Sequence, residues 1–85
     1  MNQRKAAAES ARKLARSSRF LAKEAQKKGT LDFRGAPMPA RYYLMRAERH
    51  ETVAYCFERY PEFTGSGTAS ASIFEREYEK RRTVR

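Results

Sequence analysis

Small and apolar residues recur at every third and fourth position through the first third of the chain. Ala7, Ala11, Leu14, Ser18, Leu21, Ala25 and Lys28 step alternately by four and three, the a/d spacing of a helix that presents one narrow stripe. The intervening positions are Ala, Lys, Arg, Glu, Gln and Ser, with Phe20 and with no Pro or Gly inside the stretch, and most of these are strong helix formers. Gly29 stands where a helix C′ glycine belongs, and Lys27 and Lys28 suit the negative end of the helix dipole. Glu9 with Lys13 and Glu24 with Lys28 have i,i+4 spacing for ion pairs. The pattern predicts one long helix over residues 3–28. Its stripe, with three alanines and Ser18 in the middle, is too small-sided for a strong coiled coil and suits packing against a larger apolar surface.

The periodicity then breaks. Residues 30–38 are predicted as a loop punctuated by Arg34, Gly35 and Pro37, with Leu31 and Phe33 turned toward the core. Pro39 is well placed to open a second helix over 39–60, and Pro61 to stop it. Tyr43, Ala47, His50, Ala54 and Phe57 again step by four and three. The β-favouring run Thr52–Phe57 offers a short strand as the alternative, although a lone strand there has no evident partner. Thr64–Ser72, dense in Gly, Ser, Thr and Ala, reads as flexible linker, so 61–71 is assigned as linker. Ser72 and Glu75 have the spacing of a capping box, opening a third helix over 72–82 with Ile73, Phe74, Glu77, Tyr78 and Arg81 along one side. Glu77 and Arg81 form another i,i+4 pair. The expected fold is mainly α: a single domain over 1–85, a small bundle of about three helices. The minor alternative is α+β with a strand near residues 52–57.

Size and charge sharpen this picture. A chain of 85 residues builds one modest core. Cys56 is its only cysteine, which excludes an intrachain disulfide and fits a reducing, cytoplasmic setting. A partner chain, a second copy among the candidates, is then the natural support. The formal net charge is +9, and it is unevenly spread: residues 1–29 carry nine Lys/Arg against two Glu, whereas 30–60 and 61–85 are each +1. A one-signed helix points to a polyanionic partner. On the side away from the stripe stand Arg12, Arg16, Arg19 and Lys23, with Lys5, Lys27 and Lys28 extending the track. Cations at helical spacing can follow the phosphates of DNA or RNA, and Phe20, beside Arg16, Arg19 and Lys23, can stack on an exposed base.

Other chemistry is weaker. His50 and Cys56 are six residues apart, about 120° off a common helix face, and no second Cys or His completes a metal set. Glu48, Glu51 and Glu58 read as ion-paired surface among Arg46, Arg49 and Arg59. Gly65-Ser66-Gly67 lacks the Lys-Ser/Thr of a phosphate-binding loop. The aromatic set Tyr42, Tyr43, Tyr55, Phe57, Tyr60, Phe63, Phe74 and Tyr78 reads as core. An Ala-rich helix with only Leu14, Leu21 and Phe20 to insert makes a poor membrane binder, no apolar run is long enough to span a bilayer, and a secretory leader is not expected. An Arg-, Ala- and Ser-rich start resembles a transit peptide in composition, against which stand Glu9, Glu24 and the regular stripe. The expectation is a non-enzymatic binding protein without a cofactor. It contacts nucleic-acid phosphates through its first helix. The alternative is a small regulator or inhibitor docked on an acidic protein surface, and a third reading is a charge-neutralising subunit of an assembly.

Overall fold

The computed structural model describes residues 2–83. It contains helix α1 (Gln3–Lys28), strands β1 (Leu31–Phe33) and β2 (Ala36–Met38), helix α2 (Ala40–Arg59) and helix α3 (Gly67–Thr83). The protein is therefore mainly helical, with three helices and one short antiparallel hairpin among the described residues.

α1 has the expected bounds, and both ends are explained by local chemistry. The Asn2 side chain accepts from the N–H groups of Arg4 and Lys5 at 2.9 and 3.3 Å, capping donors that have no partner inside the helix. Gly29 terminates it at φ 89°, a conformation that carries little penalty without a Cβ. α2 follows the expected span to within one residue at each end. Pro39 sits just before the helix, and its carbonyl accepts from Tyr42 N–H at 3.0 Å. Thr52–Phe57 is helical, not a strand. Thr52 is fully buried and its hydroxyl donates to the Glu48 carbonyl at 2.7 Å, so its polar group is satisfied within the helix itself.

Two segments depart from expectation. The stretch 30–38 is a hairpin rather than a loop, with Leu31 opposite Met38, Asp32 opposite Pro37 and Phe33 opposite Ala36. Three-residue strands leave almost no periodic signal, and Pro37 is tolerated because every strand of a two-stranded sheet is an edge. α3 begins at Gly67, five residues before the expected start, so Ser72 is inside the helix and caps nothing. The reason lies at Ser70, whose buried hydroxyl accepts from Thr64 N–H at 2.9 Å. That bond fixes a serine-rich stretch as helix where composition alone suggests linker.

α2 is the middle element. Toward α1 it presents Tyr43, Ala47 and Ala54, which meet the buried row Ala8, Ala11, Ala15, Ser18, Ala22 and Ala25. Only Ala11, Ser18 and Ala25 belong to the expected stripe. Ala8, Ala15 and Ala22 replace Ala7, Leu14 and Leu21, and Leu14 is 52% exposed. The stripe is rotated because the two helix backbones approach closely: a row of Ala and Ser interlocks, whereas leucine on that line would hold the helices apart. Toward α3, α2 presents Cys56, which is fully buried, with Met45 and Val53 half-buried against Phe63, Ile73, Phe74 and Tyr78. Of the aromatic set, Tyr43, Phe63, Phe74 and Tyr78 are buried, and Tyr42, Tyr55, Phe57 and Tyr60 are half-buried. Among the described residues no helix is long and apolar enough to cross a membrane.

Candidate nucleic-acid interface

α1 and α2 run antiparallel, and this decides which cations of α1 face solvent. Arg19 makes a two-pronged bond to Glu51 of α2, Nε and Nη2 each at 2.8 Å from a carboxylate oxygen. Two turns earlier, Arg12 binds Glu58 through a single nitrogen. Both carboxyls are held below the usual carboxylate range, chiefly by the hydrogen bond from the arginine and against the opposing effect of burial. The arginines are correspondingly raised by the same bonds. Two members of the expected track are therefore already engaged at the edge of the α1–α2 interface, and their charge is matched locally.

The rest of the track stays clear. Lys5, Arg16, Lys23, Lys27 and Lys28 are exposed; Lys27 has Glu24 at 3.7 Å, the partner expected for Lys28. Lys13, expected to pair with Glu9, is exposed and makes no ion pair among the described residues. It joins the outward face three residues before Arg16. Phe20 is 63% exposed. Standing four residues after Arg16 and three before Lys23, it shares their face of the helix. Arg16, Phe20, Lys23 and Lys27 extend over eleven steps of the helix, about 16 Å along the axis at helical rise, on the side opposite the buried row of α1.

Other expected site residues fall into structural roles. Of the glutamates of α2, Glu51 and Glu58 are ion-paired, but to arginines of α1. Arg46, Arg49 and Arg59 instead lie over aromatic rings: Arg46 over Phe33 at 4.9 Å, Arg49 over Phe74 at 4.8 Å, Arg59 over Tyr55 at 5.6 Å. His50 and Cys56 point into different surroundings, as their spacing implies. Burial, then the charges of Arg46 and Arg49, lower the His50 pKa; burial, then Glu77, raises that of the Cys56 thiol. Gly65-Ser66-Gly67 lines an open cleft of about 420 Å³ together with Arg49, His50 and Glu75. Glu77 pairs with Lys80 at 3.4 Å, not Arg81, whose guanidinium lies 4.4 Å from the Tyr55 ring centre.

Sequence reasoning passed over Arg4. Its guanidinium donates to the carbonyls of Phe57, Tyr60 and Phe63, at 3.0 Å to Phe57 and 2.6 Å to Phe63, and lies 5.4 Å from the Phe57 ring centre. A basic residue near the start of a basic helix carries no signal of such a contact, since its partners are backbone groups more than fifty positions away. No protein-family model, curated protein or solved structure matches this chain.

Proposed function

We propose that the protein binds nucleic acid through the outward face of α1, by contacts to phosphates and without catalysis. The observation that carries this reading is the exposed set Lys5, Lys13, Arg16, Lys23, Lys27 and Lys28 around an exposed Phe20. Among these, Glu24 beside Lys27 is the one carboxylate in an ion pair. Where the same helix meets acids of α2, it pairs with them; on this face it keeps its charge. A large aromatic ring left 63% exposed amid cations matches what single-stranded binders use to stack bases between phosphate contacts. The mode is backbone-led and only weakly dependent on sequence, because contacts to phosphate position a protein without reading bases.

The test is titration of the full chain against a 30-base-pair DNA duplex and 30-nucleotide DNA and RNA strands. The expected result is binding at 50 mM salt that weakens steeply by 200 mM, as counterion release requires. Absence of binding to all three at 50 mM salt overturns the proposal.

A second reading is favoured by one observation: Leu14, 52% exposed, leaves an apolar residue on a flank of α1, between its core side and its outward cations. An acidic protein surface would use both. Pull-down from nuclease-treated extract separates the two, since a protein partner that survives nuclease supports the second reading and loss of all partners supports the first.

A further inference from the structure

The hairpin between α1 and α2 holds an arginine where the backbone resists one. Its turn is Arg34-Gly35, closed by the Phe33–Ala36 pair. Both turn residues have positive φ, 52° and 87°, and among the described residues Arg34 is the only non-glycine in that region. Two-residue turns of this kind strongly prefer Asn or Gly at the first position, because a longer side chain on a left-handed residue is sterically strained.

What the strain achieves is placement. The Arg34 guanidinium lies 5.3 Å from the centre of the Phe33 ring, and Arg46 of α2 lies 4.9 Å from the same centre. Arg46 is also 5.9 Å from that of Tyr42, whose ring packs against Phe33. Two full positive charges thus converge on one aromatic ring. Neither arginine is in any ion pair among the described residues. The hairpin's one acid, Asp32, accepts from Gly35 N–H at 3.1 Å and serves the turn. Stacking on a ring fixes the plane of a guanidinium and leaves its N–H edge open; with the two guanidinium carbons 5.3 and 4.9 Å from one ring centre they are at most 10.2 Å apart, a span that one phosphate contacted from both sides can neutralise. The surroundings agree in sign: from Lys27 to Arg46 the chain has five basic residues and one acid, and the hairpin starts three residues after α1 ends.

We propose that Arg34 and Arg46, stacked on Phe33, form a phosphate-binding fork that continues the α1 track onto the hairpin and takes nucleic-acid backbone. This rests on the nucleic-acid reading of α1, and the experiment separates the two. Arg34→Asn and Arg46→Gln are titrated with the same 30-base-pair duplex and 30-nucleotide RNA over a salt series, alongside Arg16→Gln/Lys23→Gln and the native chain, and each is melted. The expected result is that Arg34→Asn and Arg46→Gln each bind more weakly, with the slope of log affinity against log salt reduced by about one. Arg34→Asn should melt no lower than the native chain, since asparagine suits the turn better. If both single variants keep the native slope while Arg16→Gln/Lys23→Gln loses it, the fork is wrong and the α1 reading stands. If weaker binding by Arg34→Asn comes with a lower melting temperature, the arginine has a structural role and the fork is also overturned. A native chain that binds neither of these probes nor the 30-nucleotide DNA strand removes both proposals.

Discussion

Arg4 at the start of α1 donates to the carbonyl of Phe63 at 2.6 Å, tying together residues 59 positions apart. The same guanidinium takes up the Phe57 and Tyr60 carbonyls where α2 ends. A helix C-terminus leaves carbonyls without intrahelical partners and carries partial negative charge. A planar cation with several donors answers both. In effect α1 caps α2, and the turn at Pro61 is held in the bargain.

This contact predicts a large effect from a single substitution. Arg4→Ala should destabilise the fold by about 2 kcal/mol, the range for charged hydrogen bonds in a partly buried setting. For a domain this size that is a fall in melting temperature of roughly 10 °C. Arg4→Lys should recover little, because one ammonium cannot reach three carbonyls at once. A change below about 2 °C in Arg4→Ala would show that the carbonyls are equally well served by water.

The rotated stripe of α1 gives a second prediction, with opposite outcomes for two positions eleven residues apart. Leu14→Ala should be nearly neutral, within about 0.5 kcal/mol, since Leu14 is half exposed. Ala25→Leu should destabilise by about 1–3 kcal/mol through overpacking, as Ala25 is fully buried against Tyr43. Urea unfolding of the two variants decides it. A costly Leu14→Ala would restore the stripe that hydrophobicity alone suggests, and a tolerated Ala25→Leu would show that α1 and α2 are not closely packed there.

How far the fold could be read in the sequence follows from the range of the forces involved. The bounds of α1 and α2 were legible because propensity, capping glycine and proline stops all act locally. The hairpin was not: three residues per strand are too few for alternation to show, and its turn begins with arginine instead of Asn or Gly. The start of α3 depended on one buried hydroxyl–amide bond between Ser70 and Thr64. The stripe of α1 was misplaced because a leucine looks like the better core residue until a second backbone comes close. Of the candidate site, the cations themselves were legible. Which of them are matched was not, since Glu51 and Glu58 lie 32 and 46 positions from Arg19 and Arg12, and no i,i+4 rule reports that.

Acid should weaken the fold through its paired carboxylates. Glu77, 3% exposed, is held below its ordinary value of 4.5 mainly by the Tyr60 hydroxyl, which donates to it at 2.6 Å, and further by Lys80 and Arg81, while burial opposes them. Glu51 and Glu58 are lowered as well, by Arg19 and Arg12. The unfolded chain therefore takes up these protons at higher pH than the folded one. Their contribution is complete above the ordinary carboxylate value and is lost as the pH falls through the lowered, folded-state values. Urea midpoints at pH 7, 5 and 3 should be similar for the first two and lower for the third. Glu77→Gln should be less stable at pH 7 and should show a smaller drop at pH 3. An unchanged drop would mean that Glu77 plays no part in the acid response.

If nucleic acid meets the exposed, unmatched cations of α1, as proposed, and not its ion-paired arginines, the two kinds of charge differ in their effect on salt dependence. The most direct measurement is the salt dependence of binding to a 30-base-pair duplex for two double variants. Arg16→Gln/Lys23→Gln removes two unmatched charges and should lower the slope of log affinity against log salt by about two. Arg19→Gln/Glu51→Gln removes one matched pair at no net change in charge and should leave the slope as it is. A native slope in Arg16→Gln/Lys23→Gln would contradict the account.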